Sequence, residues 1–277
     1  MTGIRSELIE LIRRASTKFE IPLIREIFMP EPTPSADRDS EFGIVVLEDM
    51  SAGLYYAWMG ESQLGMNQRY SVEGFVGQHP LQLLDLYKSD DEADRSIGLA
   101  AVNAISQSVF KQSHFELPAA ADSMGQLDLQ TGDHLGMVGF FPSLVRKLSA
   151  QNIQLTVIEK KKHLIETNRD VHITADVSEL NNCNKVLSTA STLLNDSLDE
   201  VLAHTKAAEI IVVVGPTAGF LPDPLFARGV SAIGGSQIID VDKAIHRLSN
   251  KQGLGDAARK YLLTNELYGR VLQQKFL

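Results

Sequence analysis

The sequence has a single cysteine, Cys183, among its 277 residues. One cysteine cannot form a disulfide within the chain, so a secreted scaffold that depends on internal disulfides is excluded. The near absence of cysteine fits a reducing compartment, and we therefore predict a cytoplasmic protein. Cys183 lies in the polar segment Asn-Asn-Cys-Asn-Lys. The sequence shows no pairing with a histidine or lysine that would indicate a reactive thiol.

Long apolar runs and an excess of positive charge are also absent. No stretch approaches the ~20 apolar residues that are needed to span a bilayer, and the amphipathic amino terminus carries acidic residues that are untypical of a signal peptide. The 26 Lys and Arg residues are outnumbered by 35 Asp and Glu residues, which gives a formal net charge of −9. Phosphate-rich surfaces do not attract an acidic protein, so neither nucleic acid nor a membrane is an expected partner.

The familiar motifs of metal, phosphate and nucleotide sites are missing. The sequence contains no Cys-x-x-Cys, no His-Glu-x-x-His, no EF-hand loop, no P-loop and no Gly-x-Ser-x-Gly turn. Its seven histidines are scattered, so a histidine-rich metal site would have to be assembled by folding alone. The metal, if there is one, is therefore not indicated by a local motif.

The second half of the chain alternates between short apolar runs and amphipathic segments, which predicts a parallel sheet with right-handed crossovers. The predicted strands are Leu135–Phe141, Ile153–Ile158, Lys185–Ser188, Ile210–Val214 and a strand near Ser231. The predicted helices are Ser143–Ala150, Leu198–Thr205, Val241–Ser249 and the closing segment Asp256–Leu277.

The first half predicts a different, smaller unit. The predicted helices are residues 3–19, His79–Lys88 and Ala93–Phe110, and the predicted strands are Leu23–Met29, Gly43–Leu47 and Gly53–Trp58. The polar segment Leu117–Thr131 then serves as a linker. We therefore expect an α/β protein with a small α+β domain over residues 1–120 and a parallel-sheet domain over residues 121–277.

The predicted helix Ala93–Phe110 is apolar on every side, which indicates burial against more than one partner. We expect it to lie between the small sheet and the second domain. Asn103 is the polar exception on this helix. If it is buried it needs a hydrogen-bond partner, and it is then either a structural amide or a ligand contact.

The candidate site lies where the predicted parallel strands end, because ligands of such sheets bind at the carboxyl ends of the strands. The stretch Gly215–Pro224 follows Ile210–Val214, and its residues Gly215, Pro216 and Thr217 are candidate ligand contacts. A polar stretch at another strand end offers Ser191, Thr192 and Asn195, while Ser197 and Glu200 predict a capping box for the next helix.

A second candidate region follows the first parallel strand. Gly139 and Phe141 lead into Pro142, which suits the first position of a helix whose free N–H groups could hold an anion. Glu159 ends the next strand, where a dinucleotide-binding fold places its ribose-binding acid. The glycine pattern of such a fold is missing, so an ordinary NAD site is not expected.

Several of these segments together resemble a known family. Gly98–Ala104, Gly139–Pro142, Ser191–Leu198 and Val214–Thr217, followed by Leu221-Pro222 and Gly229-Val230, are similar to the family labelled "putative heavy-metal chelation". The resemblance implies a domain like the amino-terminal domain of enolase, a Rossmann-like domain and a site between the two. The residues that it implies for that site are Asn103, Phe141, Pro142, Asn195, Pro216 and Thr217. It implies no established reaction.

Two functional hypotheses remain open at this point. In the first, the cleft between the domains binds a metal ion, a metal complex or a small anionic metabolite; a divalent ion could take oxygen ligands from Glu159, Asp223 or Asp240 together with a histidine. In the second, the protein is an enzyme that holds a nucleotide-type cofactor, with Glu159 on the ribose and the helix start at Pro142 on an anion. The sequence decides neither catalysis nor oligomeric state, and a homo-oligomer is compatible with it.

Overall fold

The computed structural model describes residues 3–31, 42–57, 67–120, 125–148, 151, 153–160, 164–165 and 171–271. It contains a three-stranded antiparallel sheet from the first half of the chain and a seven-stranded, mostly parallel sheet from the second half. This mixed architecture confirms the predicted α/β fold class. Within the described residues, no helix has the length and apolar character that a membrane crossing requires.

The small sheet has the order β1-β2-β3. Its strands are β1 Ile24–Phe28, β2 Phe42–Leu47 and β3 Ala52–Tyr56. All three strand predictions of the first half are confirmed, although Trp58 lies outside the described residues. β2 is an almost unbroken apolar run because both faces of the sheet are covered.

The helices of the first half pack on one face of this sheet. They are α1 Ile4–Ala15, the 3-10 helix Pro80–Lys88 and α2 Glu92–Gln112. The segment predicted as the helix His79–Lys88 is thus helical but wound more tightly than an α-helix. α2 begins after Asp91, whose side chain accepts hydrogen bonds from the backbone N–H groups of Ala93 and Asp94.

Helix α2 is buried on every side along most of its length. It packs against β3 and α1, and its side chains also reach the loop that follows the strand Ile210–Val214. The sequence prediction that this helix lies between the small sheet and the second half of the chain is therefore confirmed.

The large sheet has the order β10-β9-β8-β7-β4-β5-β6, and only β10 runs antiparallel to its neighbour. Its strands are β4 His134–Val138, β5 Gln154–Ile158, β6 His172–Thr174, β7 Lys185–Thr189, β8 Ile210–Val214, β9 Ala232–Ile238 and β10 Ala258–Thr264. The chain winds outward from β4 in both directions, so the order reverses between β4 and β7. This is the strand order of a doubly wound sheet, whose ligands bind where the order reverses.

Four of the following α-helices of the second half connect strands, and the fifth follows the last strand, β10. They are α3 Pro142–Leu148, α4 Leu198–Ala203, α5 Asp223–Phe226, α6 Val241–Ser249 and α7 Asn265–Val271. α3 begins at Pro142, as predicted, because the first helical position needs no backbone N–H. α6 has the predicted bounds and is capped by the side chain of Asp240.

The prediction of one long helix over Asp256–Leu277 is wrong. The segment first forms the edge strand β10, in which Tyr261 and Leu263 alternate inward with less buried neighbours. The ring of Tyr261 covers Gly235 of the neighbouring strand β9, where a Cβ would lie 2.5 Å from the ring. Among the described residues of the segment, only the 3-10 turn Gly255–Ala257 and helix α7 are helical, and residues 272–277 lie outside the described residues.

The apolar core does not divide at the predicted domain boundary. One cluster of buried residues joins α1 and α2 to one face of the large sheet. Another joins Ile44 and Leu54 of the small sheet to Val241 of α6. The small sheet therefore lies between helices of both halves. The division into residues 1–120 and 121–277 stays a prediction.

Candidate functional site

A cavity of about 670 Å³ lies at the point where the strand order of the large sheet reverses. Its walls are the ends of β4, β5 and β7, together with Tyr56 at the end of β3 and Glu92 in the first turn of α2. Both halves of the chain therefore contribute residues to the wall of the cavity.

Glu159 joins two walls of this cavity. One oxygen of its carboxylate, Oε2, accepts a hydrogen bond from the backbone N–H of Phe140 at 3.2 Å, and Oε1 accepts one from the N–H of Lys160 at 2.8 Å. The side chain therefore fixes the end of β5 to the turn that follows β4. A carboxylate held by backbone N–H groups occupies the place where a phosphate would otherwise bind.

Aromatic side chains form part of the apolar wall, beside aliphatic residues. Phe140 and Phe141 come from the turn after β4, and Tyr56 faces the cavity from the small sheet. The ring of Tyr56 meets that of Phe42 edge to face, with centroids 6.0 Å apart. The turn itself requires glycine at position 139, because its φ of +88° is one that residues with a side chain rarely adopt.

The turn after β7 supplies most of the hydroxyl groups. Thr189 Oγ1 donates to Ser191 Oγ at 3.2 Å, and Thr192 Oγ1 donates to the carbonyl oxygen of Thr189 at 2.7 Å. The side-chain oxygen of Asn195 accepts hydrogen bonds from the N–H and the hydroxyl of Ser197. All five residues line the cavity.

The predicted capping box is not formed. Helix α4 begins after Ser197 without a hydrogen bond from that side chain to the helix. Its hydroxyl instead donates to Asn195, a residue that the sequence offered either as a loop hydrogen bond or as a ligand contact. The local pattern of Ser197 and Glu200 was thus outweighed by a tighter turn two residues earlier.

Two arginines of the first half hold this turn in place. Arg95 Nε donates to the carbonyl oxygen of Leu194 at 2.5 Å, and Arg5 Nη2 contacts Asp196 Oδ2 at 2.8 Å. Both arginines also donate to the carbonyl oxygen of Ser89, at 3.1 and 3.2 Å. The cavity wall after β7 is therefore anchored to the turn that precedes α2.

The loop after β8 is filled rather than open. Asn103, only 1% exposed, donates from Nδ2 to the carbonyl oxygens of Leu54 at 3.0 Å and Thr217 at 2.8 Å. Gln107 donates in the same way to Gly219 at 2.9 Å. The amide of Asn103 thus ties β3 to the loop after β8, which is the structural role that the sequence left open.

The predicted site residues therefore fall into two groups. Gly139, Phe141, Glu159 and Asn195 line the cavity. Asn103, Pro142, Gly215, Pro216 and Thr217 are described by the structure but are not part of the cavity wall. For both groups the role of ligand contact stays a prediction.

Several other residues of the cavity wall were not predicted from the sequence. Tyr56 and Glu92 belong to the first half and come to the cavity only through long-range packing, so no local pattern marks them. Phe140 and Thr189 are neighbours of predicted residues and could have been included on position alone.

The described side chains do not form a metal centre. They contain no group of three or more His, Cys, Asp and Glu residues that could hold an ion. Of the acids that were candidate ligands, Asp223 accepts a hydrogen bond from Tyr268, and Asp240 accepts one from the N–H of Lys243 at 3.0 Å as the cap of α6. Only Glu159 is at the cavity.

The cysteine also does not suit a soft metal. Cys183 is buried, and its thiol faces the carbonyl oxygen of Glu179 at 3.8 Å. Burial raises the pKa of Cys183 to about 11, so the thiol stays protonated at neutral pH. Soft metals bind the thiolate, and this residue therefore does not supply that ligand.

Comparison with known proteins identifies relatives over most of the chain. The model of the family DUF364, described as "Putative heavy-metal chelation", matches residues 122–265. An uncharacterized protein of Methanocaldococcus jannaschii is 30% identical over 254 residues, which cover 83% of this chain and 93% of that protein.

Two solved structures of DUF364 proteins of unknown function share the fold. The one from Pyrococcus horikoshii has a TM-score of 0.65 at 20% identity and covers 94% of this chain and 98% of its own. The one from Desulfitobacterium hafniense has a TM-score of 0.70 at 19% identity and covers 94% of this chain and 99% of its own. The enolase-like character of the first half stays a prediction. With half of its length matched by the family model, the chain belongs to the DUF364 family.

Proposed function

We propose that this protein binds a small molecule, or a metal ion already held within a small organic complex, in the cavity between the two sheets. The observation that carries the proposal is the cavity itself, which has about 670 Å³ and walls from both halves of the chain. Small-molecule sites in proteins typically have volumes of roughly 300–1,000 Å³ and combine apolar walls with a few polar groups. The wall of aromatic rings and hydroxyl groups fits that description.

A metal complex agrees better with the described side chains than a bare ion does. A protein that chelates an ion directly needs several converging ligands, and no such group is present among the residues that the structure describes. In a metal complex the organic part supplies most of the ligands. The protein then needs only the apolar and hydrogen-bonding contacts that the cavity offers.

The alternative of a nucleotide-type cofactor is not supported. The strand order favours the Rossmann-like interpretation of the large sheet. However, the N–H of Phe140, in the turn where the phosphates would bind, already donates to Glu159. The negative charge of that carboxylate would repel a pyrophosphate. Glu159 is directed at this turn and not at a ribose.

Native mass spectrometry tests the proposal, on protein purified without added metal or chelator and combined with elemental analysis of the same sample. We expect a bound mass of small-molecule size, with or without a metal, that is reduced in Phe141→Leu. Phe19→Leu is the matched control, because Phe19 packs on the core of the first half and is not part of the cavity wall. A bare stoichiometric metal that survives in Phe141→Leu, or a bound mass that both variants keep, would contradict the proposal.

A further inference from the structure

The described wall of the cavity carries more negative than positive charge. Glu92 and Glu159 both line it, and both residues are partly shielded from solvent. Lys160 is the cationic residue among the described lining residues, and it is exposed. Charges in a cleft with apolar walls are screened less than charges in water, so the interior attracts cations.

A backbone N–H of the turn that usually attracts anions to such a sheet is engaged. In doubly wound folds the turn after the first strand binds phosphate through backbone N–H groups. Here the N–H groups of Phe140 and Lys160 donate to the two oxygens of Glu159. An anionic ligand at this turn would meet a carboxylate instead of N–H donors.

The aromatic wall provides the complementary half of a site for an organic cation. The faces of aromatic rings attract ammonium and guanidinium-type groups, and this attraction is strengthened when water is excluded. Tyr56, Phe140 and Phe141 are three aromatic residues in one cavity. They can also pack against a flat apolar body.

We propose that the cavity selects a small organic cation, in which an ammonium or amidinium group is carried on a planar apolar body. The cationic group lies near Glu92 and Glu159, and the planar body lies against the aromatic wall. This inference rests on the proposed function, since it specifies the ligand class of the same cavity.

The test compares three planar probes of nearly equal shape: benzamidine, which is cationic, benzamide, which is neutral, and benzoate, which is anionic. Binding is measured by NMR titration of the full chain at pH 7 and low ionic strength. We expect benzamidine to bind about tenfold more tightly than benzamide, the size of one hydrogen bond to a charged group. Benzoate should bind more weakly than either.

Variants assign the preference to the two carboxylates. Glu92→Gln and Glu159→Gln should each weaken benzamidine by roughly fivefold to tenfold. Glu92→Gln should change benzamide by less than about twofold, because only the charge is removed, whereas Glu159→Gln also loses one of the two acceptors for the N–H groups of Phe140 and Lys160. Glu92→Gln is the variant that should fold normally, because none of the hydrogen bonds among the described residues involves the Glu92 carboxylate. Glu209→Gln, an exposed carboxylate outside the cavity wall, is the matched control.

Each outcome is decisive. Benzoate or benzamide binding as tightly as benzamidine, with loss of binding in Phe141→Leu, would overturn the charge preference and leave the proposed binding cavity intact. Benzamidine binding that is unchanged in both carboxylate variants would also overturn it. If no probe binds and native mass spectrometry finds an empty protein, the charge preference and the proposed function both fail.

Discussion

Two neighbouring strands of the large sheet, β7 and β8, end at the same edge but lead into very different surroundings. The turn after β7, from Thr189 to Ser197, forms a wall of the cavity. The loop after β8, from Gly215 to Pro224, is largely buried beneath helix α2. In the sequence both segments are rich in small and polar residues, so the difference arises from what packs against them.

The loop after β8 is closed because α2 satisfies its backbone. Asn103 and Gln107 bind the carbonyl oxygens of Thr217 and Gly219, and the hydroxyl of Ser106 accepts the N–H of Leu221 at 3.0 Å. The turn after β7 satisfies its hydroxyl groups internally instead. A cavity therefore persists at the strand end whose side-chain hydroxyl groups are satisfied within the turn, while Arg5 and Arg95 of the first half bind only Leu194 and Asp196 at its far end.

Of the variants that test this difference between the two strand ends, Asn103→Ala is expected to have the largest effect on stability. The variant removes two buried hydrogen bonds, to the carbonyl oxygens of Leu54 and Thr217, and also removes the buried amide oxygen Oδ1, which has no hydrogen-bond partner among the described residues. The loss of two hydrogen bonds outweighs that gain and should lower the free energy of unfolding by about 2 kcal/mol. Urea unfolding measures this loss, with the exposed Asn250→Ala as control. Unchanged stability combined with lost benzamidine binding would instead make Asn103 a ligand contact.

A smaller loss of about 1 kcal/mol is expected for Gln107→Met. The variant removes the hydrogen bond to Gly219, but it also removes a buried amide oxygen, Oε1, that has no hydrogen-bond partner among the residues that the structure describes. The two effects partly cancel, and the methionine fills a similar volume. Thermal unfolding beside Asn103→Ala checks the order, and an equal or greater loss than in Asn103→Ala would contradict this account of the loop.

A pH-dependent effect on stability is expected for Asp223→Asn at the far end of the closed loop. Burial raises the pKa of Asp223 above its ordinary value, although the hydroxyl of Tyr268 partly offsets this. The folded state therefore favours the protonated acid. Its contribution to stability is complete below the ordinary pKa and is lost as the pH rises through the raised pKa.

Because asparagine does not titrate, Asp223→Asn should match the parent protein at low pH and exceed its stability at pH 7. Unfolding free energies measured between pH 3 and pH 7, over the range in which both proteins stay folded, give the difference curve. A variant that is destabilised by the same amount at every pH would show that the carboxylate is required for its hydrogen bond alone.

The smallest effect on stability, below about 0.5 kcal/mol, is expected for Ser191→Ala in the open turn. Ser191 is only partly buried, and its hydroxyl accepts a hydrogen bond from the hydroxyl of Thr189. Binding of benzamide should nevertheless weaken, because the hydroxyl lines the cavity. Ser249→Ala in α6 is a matched control, and equal binding in the two variants would remove Ser191 from the site.

Much of the fold follows from local pattern. Ile210–Val214 has the predicted bounds because a strand covered on both faces becomes a continuous β-branched run. Helix α2 was predicted to lie between the two halves because it is apolar on all sides. The edge strand β10 was mistaken for a helix, since its solvent-facing Arg259 and Lys260 weaken the alternation that marks a strand.

The site could be predicted only on the side that the large sheet supplies. Gly139, Phe141, Glu159 and Asn195 lie at strand ends, where topology alone gathers them. Tyr56 and Glu92 reach the cavity through tertiary packing that no local pattern encodes. For the same reason the sequence could not show that Asn103 fills the loop after β8, although it did show that this residue needs a partner.

The placement of the small sheet between α2 and α6 has a consequence for how ligands exchange. Hinge motion would separate Ile44 and Leu54 from Val241 and would expose their apolar surface to water, at a cost of roughly 25 cal/mol for each Å². Opening the cavity by such a motion is therefore costly. A ligand of the proposed kind would enter through the existing opening, so its size would limit entry before its charge could act.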